Sequence, residues 1–432
     1  MKRSSPTKRK EQRKVRLLIH AVDGCVPFLT PDALEKYFPP SDDLWIGLAV
    51  RDTCVLPTFT DETNKPKKQK SNRASKSNNN ATLTERDPKK PRGYTFAPIT
   101  PDSWLLPYTR VTVPSFDWME DNARKKKESS QQPSSSGSTS TNQSILVWTP
   151  HGRQKLTTAL YADASAGLNS KFTLSLYDMA EEPTNAKRLE KAEARNEEWF
   201  RDLRQRRNDG SSCKDTLWSP ILLPIATSSD QTLTMSHEST GDIGGVALLG
   251  KWWSGLESIL QAKLPDVPHV AMLTTYSFQE ILDIVSSNVI DTIGTDLPTM
   301  WAKDKLAFVV DLTVNATQNP AKRSKQDQDT NVVPDAVNHD GCMSLKDTSL
   351  ARDARPLVPG CTCLACANHR FSRAYIHHLI CAQELLADML LFGHNLHHLL
   401  EFIRTFNRMD DPMPWVEGLV TQLSERAHPQ TQ

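Results

Sequence analysis

Short apolar runs alternate with amphipathic runs along most of this chain, and that alternation narrows the fold more than any other feature. Strand-like runs fall at 44–50, 145–149, 172–177, 221–225, 246–249, 269–273, 289–293 and 307–312. Helical periodicity falls at 31–37, 186–206, 252–264 and 277–287, the last with Ile281, Leu282, Ile284 and Val285 as its buried stripe. Strands that are apolar throughout need cover on both faces, and helices between them make parallel β/α units. A count near eight predicts an α/β chain closed into a (β/α)8 TIM-type barrel, with an open doubly wound sheet as the alternative.

The 432 residues do not all belong to that body, because only 38% are hydrophobic. Three polar stretches, 61–92, 121–144 and 315–355, bury too little apolar surface to offset ordering entropy and read as long disordered insertions. The division is then a basic tail at 1–16, a barrel over 17–355 carrying the insertions, and a last segment over 356–432. Lys and Arg (52) balance Asp and Glu (51), so no global charge pulls the chain toward nucleic acid or membrane. A nucleic-acid surface has to be local, and Arg201, Arg204, Arg206 and Arg207 are the candidates; a solvated helix end is the alternative. The basic start reads as a solvated tail, or as a nuclear-import or RNA-contacting one. Only Val15 and residues 17–21 follow it, too few for a signal segment, and no window approaches 18 uncharged apolar residues. No stable membrane insertion is expected.

The last segment holds the strongest chemical signal. Three of the eight cysteines, Cys361, Cys363 and Cys366, crowd into six residues behind Gly360. Thiols this close suit three corners of a tetrahedron in a reducing compartment, and they predict one structural Zn2+ per chain. The fourth ligand is open on chemistry alone between His369 and His394. A straight helix over 372–391 would span about 30 Å, so His394 reaches the loop only if the chain breaks, and Gly393 and Asn395 offer the corner. Ala382, Leu385, Leu386, Met389 and Leu390 form one apolar stripe here, and Leu396, Leu399, Leu400 and Ile403 another. Two stripes beside a small metal loop predict an exposed docking face.

With those residues in view, the segment resembles the C-terminal zinc subdomain of the tRNA-guanine transglycosylases. The matching elements are Cys361-x-Cys363-x2-Cys366, the run from Ser372 to Leu379, Glu384-Leu385-Leu386, and His394-Asn395-Leu396. The gap from Cys366 to Ser372 is about two residues longer than in the family. The resemblance selects His394 as fourth ligand. Further elements fall in family order: 26–32, which resembles the accessory branch; Leu176-Tyr177-Asp178; the Gly-Gly turn at 241–245; and 264–298. The family fold is a (β/α)8 barrel bearing the zinc subdomain.

The family's catalytic members use a strand Asp as nucleophile on the ribose of a tRNA guanosine, in a run Val-Asp-x-Phe-Asp-Cys-x-x-Pro. The matching run here is 290–298, and it sets Gly294 at the nucleophile position. Asp296, two residues on and on the same side of an extended strand, is the alternative nucleophile. The general-base segment Asp-Ser-Gly-Gly-Phe-Gln is missing, and 225–229 replaces the Gln-Gly-Gly recognition turn. Asp178 stands at the base-binding strand, with capping of the following helix as its other reading. The resemblance therefore implies a non-catalytic accessory member. It would pair as a heterodimer with a catalytic queuine tRNA-ribosyltransferase subunit, bind tRNA, and support exchange of guanine for queuine at the wobble position. It also implies a cytoplasmic place, with association at the mitochondrial outer surface. The competing readings are an active transglycosylase using Asp296 and a zinc-stabilised RNA-binding module.

Overall fold

The computed structural model describes residues 13–22, 24–50, 105, 107–114, 141–149, 152–178, 186–209, 215–223, 244–264, 267–313, 337–338 and 340–427. Expectations for 1–12, 61–92, 121–140, 225–229, 241–243 and 315–336 lie outside the described residues.

Eight parallel strands close into a barrel. In chain order the elements are β1 (Arg16–Ala21), α1 (Pro31–Tyr37), β2 (Leu44–Ala49), β3 (Thr109–Val113), β4 (Ser144–Thr149), β5 (Gly152–Thr157), α2 (Thr158–Leu168), β6 (Phe172–Leu174), α3 (Ala186–Asn208), β7 (Thr216–Leu222), β8 (Gly245–Leu249), α4 (Leu256–Lys263), β9 (Val270–Met272), α5 (Phe278–Ser286), β10 (Thr292–Thr295), α6 (Leu297–Lys303), β11 (Leu306–Phe308), β12 (Cys342–Ser344), α7 (Arg373–Cys381), α8 (Leu385–Arg408) and α9 (Met413–Ala427). The barrel order is β1-β2-β3-β6-β7-β8-β9-β10, with β10 pairing β1 to close it. Strand alternation sorts the side chains. Leu18, Trp45, Val111, Phe172, Leu174, Trp218, Ala247, Leu249, Ala271 and Leu273 fill the interior, while Leu17, Ile19, Ile46, Leu48, Val246, Leu248, Val270 and Ile293 face the helices.

The barrel is the one the alternation predicts, but two of its staves are not the expected ones. β1 and β3 belong to it. The run at 145–149 instead forms the antiparallel hairpin β4–β5, and the run at 307–312 contributes β11, which pairs antiparallel with β12 outside the barrel. The third insertion also ends earlier than 355, because β12 and a 3-10 turn at Thr348–Arg352 lie within it. Leu345 and Leu350 there are buried, so this piece is anchored by core contacts despite its polar composition.

The helix over 372–391 breaks, but not at Gly393. α7 stops at Cys381, Gln383 takes a left-handed φ of 58°, and the Glu384 N–H closes the turn on the Leu379 carbonyl. α8 then runs unbroken through Gly393, His394 and Asn395. Gly393 turns no corner. A Cβ there would stand 3.4 Å from Leu364, an ordinary contact, so the cysteine loop packs directly on this face of the helix. Asn395 caps nothing. Its Oδ1 accepts from the Phe308 N–H and its Nδ2 donates to the Leu306 carbonyl, pinning α8 to the free edge of β11. Among the described residues no helix is long and apolar enough to cross a membrane.

Candidate metal centre and barrel mouth

The cysteine loop begins at Gly360, whose φ of 77° suits glycine. Within it the Cys366 N–H points at Cys363 Sγ (3.3 Å), and the Ala367 N–H bonds the Cys363 carbonyl. Behind the loop Arg373, 1% exposed, bonds Asp353 at 3.1 Å and the Leu357 carbonyl at 2.9 Å, so the stem of the loop is fixed by a buried cation. α8 supplies the remaining corner. His394 Nδ1 lies 3.4 Å from Cys363 Sγ, 3.5 Å from Cys366 Sγ and 3.9 Å from Cys361 Sγ. All four donor atoms fall within 4.8 Å of one another. Tetrahedral bonds of ~2.3 Å to sulfur and ~2.05 Å to nitrogen place S and N corners ~3.6 Å apart, so this set fits a four-coordinate cation. His369 is exposed on a left-handed turn (φ 53°) and stands outside the cluster.

The imidazole is aimed from behind. His394 Nε2 lies 3.0 Å from the Phe308 carbonyl, which only accepts, so Nε2 carries the proton and the Nδ1 lone pair faces the sulfurs. His398 repeats the contact one turn on, with Nε2 2.7 Å from the Val310 carbonyl. β11 thus holds a ligand that lies 86 positions away in sequence, a link no local pattern announces. The four donors perturb one another strongly. Hydrogen bonds with Cys363 and Cys366 drive the Cys361 thiol far down, and the same contacts drive Cys363 up. Burial opposes charge on His394, but its contacts with Cys366 and Cys361 outweigh it and raise it to about 10.

The mouth of the barrel is different. Gly294 sits on β10 beside Leu18 of β1, facing the interior. A Cβ at Gly294 would stand 2.9 Å from both the Cα and the carbonyl oxygen of Leu273. These are backbone atoms of the neighbouring stave, so a side chain fits only if the barrel moves. Asp296 follows at the start of α6. Burial pushes its carboxyl up to about 6, against the opposing contact of Thr299 and the charge of Lys303. Asp178 is also engaged. Arg188 binds it through both oxygens (2.8 and 2.7 Å), Arg195 adds a bond of 2.7 Å, and the Asp178 N–H donates to Asn196. Its carboxylate, 3% exposed, ties α3 to the barrel and offers no open edge to a base.

Comparison with known proteins gives one consistent answer. The family profile described as "Queuine tRNA-ribosyltransferase" matches residues 118–408. The chain is similar to proteins called "Queuine tRNA-ribosyltransferase accessory subunit 2". With that of Drosophila virilis it is 28% identical over 264 residues, 59% of this chain and 60% of that protein. With that of Trichoplax adhaerens it is 29% identical over 280 residues, 64% and 68% of the two chains. With that of Xenopus tropicalis identity rises to 52%, over 58 residues, 13% and 14% of the two chains. The match thus spans about three fifths of the Drosophila protein.

Proposed function

The chain belongs to the queuine tRNA-ribosyltransferase family, and from that membership we propose that it is a non-catalytic subunit. In this reading it pairs with a catalytic homologue, and the pair exchanges guanine for queuine at the wobble position of tRNA. The observation that carries the reading is Gly294: the nucleophile's position holds no side chain, and the Leu273 backbone occupies the space one would need. The arginines bound to Asp178 support it. The names of the similar proteins agree.

The metal is zinc, because three thiolates and one imidazole at tetrahedral spacing suit it best among biological cations. Cys361, Cys363, Cys366 and His394 hold it, and it cross-links the loop to α8. Its part is structural, and four protein ligands leave no position for substrate. Thiolate ligands suit a reducing compartment, and a cytoplasmic location is part of this reading.

The docking face is narrower than the two stripes imply. Leu396, Leu399, Leu400 and Ile403 are at most 1% exposed and pack inward, whereas Leu385 is 63% exposed and Tyr375 41%. Those two residues, with Ala382 and Met389, form the patch a catalytic homologue would cover. The accessory barrel then contributes tRNA-backbone contacts, and binding energy collected here positions the wobble base at the partner's site. Co-expression with a catalytic subunit tests this by mass. A stable one-to-one complex, weakened by Leu385→Asp, is expected; two independent monomers would refute it.

A further inference from the structure

Three cysteines form the metal cluster; of the other described ones, Cys25 and Cys381 are exposed and Cys342 is buried. Cys381 differs from Cys25 in its neighbour. It closes α7 one turn after His377, and the i, i+4 spacing sets its Sγ 3.6 Å from the ring Nε2. The opposite nitrogen, Nδ1, lies 2.8 Å from the Leu345 carbonyl oxygen. A carbonyl only accepts, so Nδ1 carries the proton and Nε2 of the neutral ring turns its lone pair to the sulfur. The ring is 8% exposed and therefore held in this orientation, while the thiol is open to solvent in the free chain. A thiol, its base, and an acceptor that orients the base are the parts an activated nucleophile needs. Cys25, also exposed, serves as the reference thiol.

We infer that Cys381 is a modification site for small oxidants of the peroxide class, with His377 as its base. The sulfur attacks one peroxide oxygen while His377 Nε2 takes the thiol proton. The S–O bond forms as the O–O bond breaks, and the departing hydroxide recovers the proton from the ring as water. Sulfur is oxidised by two electrons to a sulfenic acid, and the peroxide is reduced. The base matters because Cys381 ends a helix, where the dipole disfavours a bare thiolate.

The test uses the full metal-bound chain, hydrogen peroxide, a sulfenic-acid trap and peptide mapping by mass. Cys381 is expected to be trapped at least ~10-fold faster than Cys25. In His377→Asn, whose amide keeps a donor for the Leu345 carbonyl, the Cys381 rate should fall to that of Cys25, with Cys25 and metal content unchanged. Equal rates in the unmodified chain, or an unchanged Cys381 rate in the variant, overturn the inference. Should the variant lose metal, iodoacetamide labelling of the unmodified chain decides: preference for Cys381 supports the site, and indifference between the two thiols removes it.

Discussion

Replacing Asp296 with Asn should stabilise the protein, and the gain should depend on pH. Burial raises this carboxyl from 3.8 to about 6. A folded-state value above the unfolded one means that the protonated form is the one the fold prefers. The group's contribution is therefore fully present below 3.8 and is lost as pH rises through about 6, leaving a desolvated carboxylate at neutral pH. A tenfold change in proton affinity between folded and unfolded chains corresponds to about 1.4 kcal/mol. The ionisation penalty thus comes to about 3 kcal/mol at pH 7, about 1.6 at pH 5 and close to zero at pH 3. An amide carries no charge and keeps an oxygen for Thr299. Urea unfolding of both proteins from pH 3 to pH 8 reads the difference directly, and the metal site titrates identically in the two. The expected result is an Asp296→Asn variant more stable at pH 7, with the margin shrinking toward pH 3. A margin independent of pH, or a less stable variant at pH 8, refutes the burial argument. Partner-dependent base exchange should be untouched by the substitution.

Three further outcomes follow from named contacts. Cys363→Ala should remove the metal and cost roughly 5 kcal/mol, lowering the thermal midpoint by about 10 °C, as read by elemental analysis and calorimetry. Gly294→Asp should fail to create activity and should destabilise the barrel by about 3 kcal/mol or more, since its Cβ meets the Leu273 backbone; denaturant unfolding measures the loss. Asn395→Ala strands the Phe308 N–H and the Leu306 carbonyl and should cost about 2–4 kcal/mol, with metal content held near one per chain.

The barrel is legible in the sequence because its later staves are apolar on both faces, so that runs such as 246–249 and 269–273 stand out from the helices around them. β1 and β3 escape for opposite reasons. β1 follows a basic lead, so its apolar run Leu17–Ile19 resembles the end of a tail. β3 reads Thr-Arg-Val-Thr-Val, and its Arg110 is 7% exposed with one bond to the Asn169 carbonyl, a burial that no periodicity reveals. The run at 145–149 is misplaced because local composition cannot tell a barrel stave from a hairpin arm; pairing partners settle that. At the metal loop, cysteine spacing identifies three ligands and leaves the fourth open. Only the resemblance chooses between His369 and His394. The physical selector, the Phe308 carbonyl behind His394, lies far off in sequence. Exposure of Leu385 against burial of Leu399 is equally hidden, because both lie on the same amphipathic helix.

Transfer of labelled guanine into tRNA by the purified chain alone, by a catalytic homologue alone and by the two together tests the central claim most directly. The account predicts no exchange and no covalent tRNA adduct with this chain alone, and exchange by the mixture well above that of the catalytic homologue. Robust exchange by the lone chain, abolished by Asp296→Ala, would contradict it.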